Sequence, residues 1–356
     1  MTRRTAVTPI PIERAPERIL IIKPSAIGDI VHALPVLNLI RRRWPAAHIS
    51  WLVTPACAAL VEGHPQIDQV MRFDRKGMSS AWHNPIAALK LMGLHDDMRS
   101  HNFDLVVDLQ GLFRSGWFAG QTRSPLRVGF ANAREFGWLF YTHRVESSWK
   151  DHAVERYLCV AEALGLDISQ VEFHFAVNDR DRAEIRSLLS DSEPYAVLLP
   201  GANWDTKRWS PQRFAALVGP IRERFGLRCV VAGGPDDCEL AAKIRGVQDL
   251  TGKTNLRQLI ALLEGAKLVI AGDTGPMHIA AALGKPLVTM YGPTDPILTG
   301  PFGRLDTVVR VAIPCSPCFS RKCSHQSCLQ WLGSEPVLAL AQRQLSRSVA
   351  AGSVTL

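Results

Sequence analysis

The chain is poor in aromatic residues, which make up 7% of its 356 positions, with only four tyrosines. A single-strand nucleic-acid binder stacks bases on aromatic side chains spaced among arginines, and no such platform, nor any groove-reading helix motif, is present. Long apolar runs are missing too: none approaches the ~18–20 residues needed to span a bilayer. The opening MTRRTAVTPIPIERAPE lacks the continuous apolar centre of a signal peptide, so residues 1–17 read as a disordered leader of a cytoplasmic protein. The usual nucleotide fingerprints are absent. The first strand runs into KPSAIGD without a GxGxxG, and GVQDLTGKT (Gly246 to Thr254) places five residues between its glycines, one more than a P-loop requires.

What remains is an ordinary globular composition, 47% hydrophobic and 21% charged, long enough for two domains that each bury a core. The net charge of +8 is unevenly spread. Residues 1–150 hold 19 Lys and Arg against 12 Asp and Glu, a balance of +7, while the rest hold 22 against 21. The basic half therefore asks for an acidic partner: a phosphorylated lipid, an anionic membrane face or a nucleic acid.

Short apolar strands alternate with helical stretches through both halves, the pattern of doubly wound parallel sheets. The fold class is α/β, and the division is a first domain over 18–177, a polar linker over 178–194, a second domain over 195–333, and a C-terminal helix and tail over 334–356.

Four segments carry the chemistry. In LVIAGDTGPMHIAAALGKPLVTMYGPTDP, a buried strand enters a tight turn and a proline-started helix, whose free N–H groups at Thr274 and Gly275 favour a phosphate. Asp273 lies beside that position with a carboxylate able to accept sugar hydroxyls, although an Asp cap is the plainer use of the residue. In KPSAIGDIVHALPVL, Gly28 supplies a turn and Asp29 enters the first turn of an amphipathic helix. The dipole there keeps a carboxylate ionised at the strand's carboxyl end, where a general base belongs. LLPGANWDTKRWSPQRF offers Lys207 and Arg208 in a loop after a strand, and a lysine there neutralises a leaving diphosphate without a metal ion. GGPDDCEL places Asp237 at a helix start, within the competence of a carboxylate to hold a ribose hydroxyl pair.

These segments, with DLQGLFRSG and CSPCFSRKC, resemble the bacterial lipopolysaccharide heptosyltransferases of glycosyltransferase family 9 over roughly Arg18 to Leu332. The resemblance implies a GT-B fold, in which two Rossmann-like domains face each other across a cleft, the first binding acceptor and the second a nucleotide sugar. It implies an inverting, metal-independent transfer of heptose from ADP-L-glycero-D-manno-heptose to the Kdo/heptose inner core of lipopolysaccharide, with no cofactor. Asp29 would be the base and Lys207 the partner of the departing ADP. Asp273, Thr274, Gly275 and His278 would meet the donor sugar and diphosphate, Asp237 the ribose, and Thr254 the adenine region. Ala202 and Asn203 stand where members often carry hydroxyl side chains for phosphate contact. Gln110, Arg114 and Arg134 are the acceptor candidates, facing the phosphates and carboxylates of Kdo2-lipid A. The C-terminal helix would pack back on the first domain, and the protein would be a monomer in peripheral contact with the anionic inner membrane, binding no nucleic acid.

Four of the eight cysteines, Cys315, Cys318, Cys323 and Cys328, have a spacing that fits structural zinc. The family carries similar cysteines without a metal, which favours reduced or locally paired thiols. A family 9 transferase using another nucleotide sugar or acceptor is the alternative within the resemblance, and a non-catalytic nucleotide-binding protein is the alternative of another class.

Overall fold

A computed structural model describes residues 7–74, 84–189 and 192–352 and divides the chain into two units, 1–176 and 177–356. Each unit is built on one six-stranded sheet whose neighbouring strands are all parallel.

In the first unit the strands are β1 (Arg18–Ile22), β2 (His48–Val53), β3 (Gln69–Arg72), β4 (Leu105–Asp108), β5 (Leu126–Phe130) and β6 (His143–Val145), in the order β3-β2-β1-β4-β5-β6. β1 and β4 are apolar and almost wholly inaccessible, as central strands covered on both faces must be. Helix α1 (Ile27–Arg43) lies against the helix Ala153–Ala163, and its run from Ile30 to Ile40 is buried throughout. Asp29 in its first turn and Arg41, Arg42 and Arg43 in its last complement the helix dipole at both ends.

The second unit repeats the plan with β7 (Tyr195–Leu199), β8 (Arg228–Val231), β9 (Gln248–Asp249), β10 (Leu268–Gly272), β11 (Leu287–Met290) and β12 (Val308–Val309), in the order β12-β11-β10-β7-β8-β9. Counted within each unit, both sheets have the doubly wound order 3-2-1-4-5-6, which reverses direction between the first and fourth strands. The expectation of two such sheets holds.

The leader differs from expectation. Residues 1–6 lie outside the described residues, but from residue 7 the chain is tied to the first unit: Ile10 N–H donates to Ala163 O at 2.8 Å, and Pro16 is buried. Asp104 then receives the N–H groups of Glu17 and Arg18 at 2.8 and 2.9 Å, which fixes the entry into β1.

The stretch read as a linker, 178–194, contains the helix Asp179–Leu189. Asn178 and Asp181 cap it reciprocally, each side chain accepting the other's backbone N–H, at 2.9 and 3.2 Å. It packs on the helix Leu256–Gly265, where the Arg182 guanidinium grips Glu264 at 2.8 and 3.1 Å. The C-terminal helix Ser334–Gly352 belongs to the second unit, with Val337, Leu338, Leu340 and Ala341 in that unit's core and its length against β11, β12 and the helix Pro211–Phe225. Residues 353–356 of the expected tail lie outside the described residues.

One close approach fixes the loops above β4 and β5. The helix Phe113–Gln121 meets the turn Gly137–Phe140 backbone to backbone: a Cβ on Gly116 would come 2.5 Å from Gly137 O, and one on Gly137 would come 2.7 Å from Leu112 O. Neither contact is with a side chain that can move aside. Gly116→Ala is therefore expected to lower stability by about 1–3 kcal/mol in urea unfolding, and an unchanged midpoint would show that the two segments separate freely.

Candidate active site

In the first unit the candidate residues gather at the carboxyl ends of β1 and β4. Asp29 sits half-buried at the third position of α1, where its Oδ2 accepts the Ala26 N–H at 3.3 Å. Gly28, read as a turn residue, is inside the first helical turn. Beneath this turn lies a lysine that the sequence reading left without a role. Lys23 is 2% exposed, donates from Nζ to Leu109 O at 3.2 Å, and stands 5.1 Å from the centre of the Tyr157 ring. Burial opposes its charge, but Tyr157, Asp29 and Asp108 outweigh that penalty and hold the ammonium above its ordinary value.

Asp108 at the end of β4 organises the next loop. It is fully buried, receives the Tyr141 hydroxyl at 2.6 Å and takes the N–H groups of Gln110 and Gly111 at 2.8 and 3.2 Å. Burial raises its carboxyl pKa even so, with the bonds from Tyr141, Ser115 and the loop backbone acting in the opposite sense. Gly111, at φ +67°, needs the left-handed conformation to turn this loop. Its carbonyl then accepts the Arg134 N–H at 2.9 Å, tying the loop of Gln110 to that of Arg134.

Gln110 and Arg114 line the same cavity of about 130 Å³, together with Ser25, Thr54 and Glu135. Gln110 Oε1 is buried there without a hydrogen-bond partner, an acceptor left open toward a ligand. Arg114 lies 5.9 Å from the Phe73 ring centre. Arg134 is outside the lining, exposed, and 5.6 Å from the ring of Trp149.

In the second unit the corresponding edge, at β7 and β10, brings Lys207 and Asp273 into one ion pair. Lys207 Nζ lies 2.7 Å from Asp273 Oδ2, with the side chains 15% and 7% exposed. The same oxygen accepts the Thr294 hydroxyl at 2.6 Å. Tyr291 stands close by, its phenol pKa pushed far up by burial and by the Asp273 charge. Trp204 faces two cations, Lys207 at 4.4 Å and Arg321 at 4.7 Å.

Thr274 caps the helix Gly275–Ala282 through its backbone, and its hydroxyl makes no capping bond. Pro276 carries no N–H at all, so Gly275 is the N–H presented at the tip. His278 is buried one turn further on, among Met277, Ile279 and Ala280.

Asp237 seats its carboxylate against two glycines: a Cβ on Gly201 would fall 2.3 Å from it, and one on Gly233 2.6 Å. That contact brings the loop of Ala202 and Asn203 beside the GGPDD turn. Ala202 is buried, its carbonyl taken by Arg208 at 3.0 Å, while Asn203 is exposed. Thr254 is half-buried in the loop before the helix Leu256–Gly265.

Comparison with known proteins places the chain in a family. The profile of glycosyltransferase family 9 (heptosyltransferase) matches residues 92–329. The chain belongs to glycosyltransferase family 9. Lipopolysaccharide heptosyltransferase 1 of Escherichia coli (strain K12) is 29% identical to this family 9 chain over 301 residues, 82% of the chain and 93% of that protein. The structure of E. coli heptosyltransferase WaaC with ADP superposes with a TM-score of 0.76 at 27% identity, covering 92% of this chain and 99% of the other. The structure of WaaC with ADP-2-deoxy-2-fluoro heptose gives 0.73 at 27% identity over the same shares. The protein is thus a glycosyltransferase with the two Rossmann-like units of a GT-B fold.

The family 9 loop that carries the cysteines supports this site from outside. Thr206 Oγ1 donates to Ser320 O at 2.9 Å, Ser316 Oγ to Gly292 O at 2.6 Å, and the N–H groups of Cys318 and Phe319 to Pro293 O at 2.9 and 2.8 Å. The turn of Lys207 and the loop of Thr294 are held together by this one segment. Cys315, Cys318, Cys323 and Cys328 line a cavity of about 20 Å³ with His325, and all four thiols are free. Among the described residues no group of three or more His, Cys, Asp and Glu is arranged to hold a metal ion. Burial, reinforced by the other three thiols, raises the Cys328 pKa.

Sequence reasoning missed Lys23, Asp108, Tyr157, Trp204 and Thr294. Lys23 and Asp108 each end an apolar strand, a position where a charge needs a reason, and that signal was available. The aromatic and hydroxyl partners had no local signal.

Two outcomes follow from these contacts. Lys207→Met leaves Asp273 buried without its counter-charge and is expected to cost about 3 kcal/mol, with part recovered in the Lys207→Met/Asp273→Asn double variant. Urea unfolding of all four proteins measures this, and strictly additive single costs would show that the pair is not coupled. For Asp108, whose folded pKa lies above its ordinary 3.8, the native state holds a proton that the unfolded chain releases. Its contribution is greatest below pH 3.8 and is lost as pH rises through the folded value. Stability of the wild type relative to Asp108→Asn should fall across that window, and a flat difference would show that the carboxyl titrates as it does in the unfolded chain.

Proposed function

We propose that the protein is an inverting, metal-independent transferase that moves heptose from ADP-L-glycero-D-manno-heptose to the Kdo/heptose inner core of lipopolysaccharide. The observation that carries this reading is Asp29 in the first turn of α1, just after β1, with its charge acting on the buried ammonium of Lys23. A half-exposed carboxylate in that position is open to a ligand hydroxyl and lies where the helix dipole favours negative charge. The names of the relatives, and the ADP and fluoro-heptose nucleotide held by WaaC, support the donor and acceptor classes.

Asp29 removes the proton of the acceptor hydroxyl as its oxygen attacks the anomeric carbon from the face opposite the diphosphate. The carbon–oxygen bond to ADP breaks, and the configuration inverts. Lys207 and the N–H at Gly275 meet the charge that builds on the departing diphosphate, so a divalent cation has no necessary part. In the unliganded site Lys207 is neutralised by Asp273, and the arriving diphosphate competes with that carboxylate for the ammonium. Asp273, once relieved, accepts hydroxyls of the donor sugar. His278 borders the same ligand, Asp237 holds the ribose, Thr254 lies toward the adenine, and the backbone at Ala202 and Asn203 lies along the diphosphate. Gln110, Arg114 and Arg134 take the anionic acceptor. The enzyme works in the cytoplasm as a monomer, meeting its lipid-linked acceptor at the inner membrane. Among the described residues no helix is long and apolar enough to cross a membrane.

Asp29→Asn is expected to cut acceptor-dependent ADP release from ADP-heptose by about 10²–10⁴-fold, with EDTA present throughout and Kdo2-lipid A as acceptor. ADP affinity should remain near the wild-type value. Transfer near the wild-type rate would remove Asp29 as the base, and loss of transfer in EDTA alone would remove metal independence.

A further inference from the structure

Beside the cavity that holds Gln110 and Arg114, the first unit presents large apolar side chains to solvent. Phe113 is 47% exposed, Phe136 66% and Leu139 57%. Phe113 starts the helix that is clamped against the turn Gly137–Phe140 through Gly116 and Gly137, so the two segments form one rigid ledge. Phe113 lies between the cavity-lining residues Leu112 and Arg114, and Phe136 directly follows the lining residue Glu135. Phe113 and Phe136 thus adjoin the cavity lining along the chain, and Leu139 belongs to the same clamped turn as Gly137.

Phe136 is also held at a conformational cost. Glu135 and Phe136 both have positive φ, +56° and +62°, a left-handed region that a phenylalanine rarely occupies. The backbone around them is pinned by Arg134 N–H to Gly111 O at 2.9 Å and Gly137 N–H to Arg134 O at 3.0 Å. A turn that spends backbone strain to hold a phenylalanine in water has an exposed ring as its product. Arginines alternate with the aromatics around it. Arg114 and Arg134 are exposed, Arg134 lies 5.6 Å from the ring of half-exposed Trp149, and exposed Arg144 lies 4.6 Å from that of Trp138. From 110 to 150 six Lys and Arg (114, 123, 127, 134, 144, 150) stand against Glu135 and Glu146, a balance of +4.

We propose that Phe113, Phe136 and Leu139, with the arginines around them, are the surface by which the first unit docks on an anionic lipid bilayer, so that the cavity of Gln110 and Arg114 opens where a lipid-linked acceptor projects its sugars. Rings and leucine enter the headgroup layer while the guanidinium groups remain among lipid phosphates. Neither part suffices alone: the apolar rim supplies depth, and the arginines choose the negatively charged leaflet. The docking role rests on the acceptor being lipid-linked, as proposed above, and adds to it the side chains that find the membrane.

The test is flotation of the full-length protein with phosphatidylglycerol/phosphatidylethanolamine vesicles and with phosphatidylcholine vesicles, for the wild type, Phe136→Ser/Leu139→Ser and Leu305→Ser. Leu305, in the second unit, is 50% exposed and serves as an equally apolar control. The wild type and Leu305→Ser are expected to float with the anionic vesicles only, and Phe136→Ser/Leu139→Ser to bind them about ten-fold or more weakly. Transfer is then compared on vesicle-borne Kdo2-lipid A and on its fully deacylated, water-soluble form. The double variant should lose about ten-fold on the former and stay within about two-fold on the latter. Equal flotation of the double variant and the wild type, or no flotation of the wild type, would overturn the proposal. Absence of transfer to both acceptors in the wild type would instead overturn the assigned reaction, while flotation would still decide the docking surface.

Discussion

In a parallel sheet of order 3-2-1-4-5-6, the first and fourth strands lie side by side while their following chains leave in opposite directions, and the gap above them must be filled with polar groups that satisfy one another. Both units fill it with a lysine. Lys23 crosses from the end of β1 to the carbonyl of Leu109 after β4, and Lys207, in the loop after β7, crosses to Asp273 after β10. The rest of each site depends on that bridge. In the second unit Asp273 pairs directly with the lysine, and in the first the Asp29 and Asp108 charges act on Lys23 without a direct ion pair; removing one partner of the direct pair would leave a buried charge uncompensated.

The two bridges differ in how much freedom they leave. Lys23 is sealed among Tyr157, Leu109 and the strand ends, with the Trp51 indole N–H on its own carbonyl at 3.2 Å, so it is a fixed charge under α1. Lys207 sits in a three-residue turn stiffened by Trp204 and by the hydrogen bonds of the cysteine loop, yet it keeps some exposure. The bridge of the first unit is sealed and that of the second keeps some exposure, a division that would suit the roles proposed for Asp29 as a fixed base and for Lys207 as a cation that changes partners.

Much of this was legible from residues alone because parallel strands announce themselves as apolar runs and their carboxyl ends as turns. KPSAIGD, DLQG, LPGANWDTK, GGPDD and DTGP each follow such a run, and all five loops lie at the carboxyl edges of the two sheets. What could not be read had one of two causes. Polar composition hid the helix Asp179–Leu189, whose buried positions are Asp181, Ile185 and Leu189 and whose one local signal was the Asn178 and Asp181 capping pair. Distance in sequence hid the rest: nothing near Asp108 points to Tyr141, 33 residues on, and nothing near Asp273 points to Lys207 or Thr294. Composition also suggested that the leader was loose, when a single strand-end carboxylate, Asp104, is enough to fix its last residues.

The carboxylate of Asp237, wedged against Gly201 and Gly233, couples the two turns that meet there. A Cβ at either glycine would meet chiefly that carboxylate and oblige it to turn out of its seat, and a carboxylate so turned gives up its grip on the Gly234 N–H. One side chain thus serves as the spacer of two turns at once, and a change at any of the three positions is felt at both.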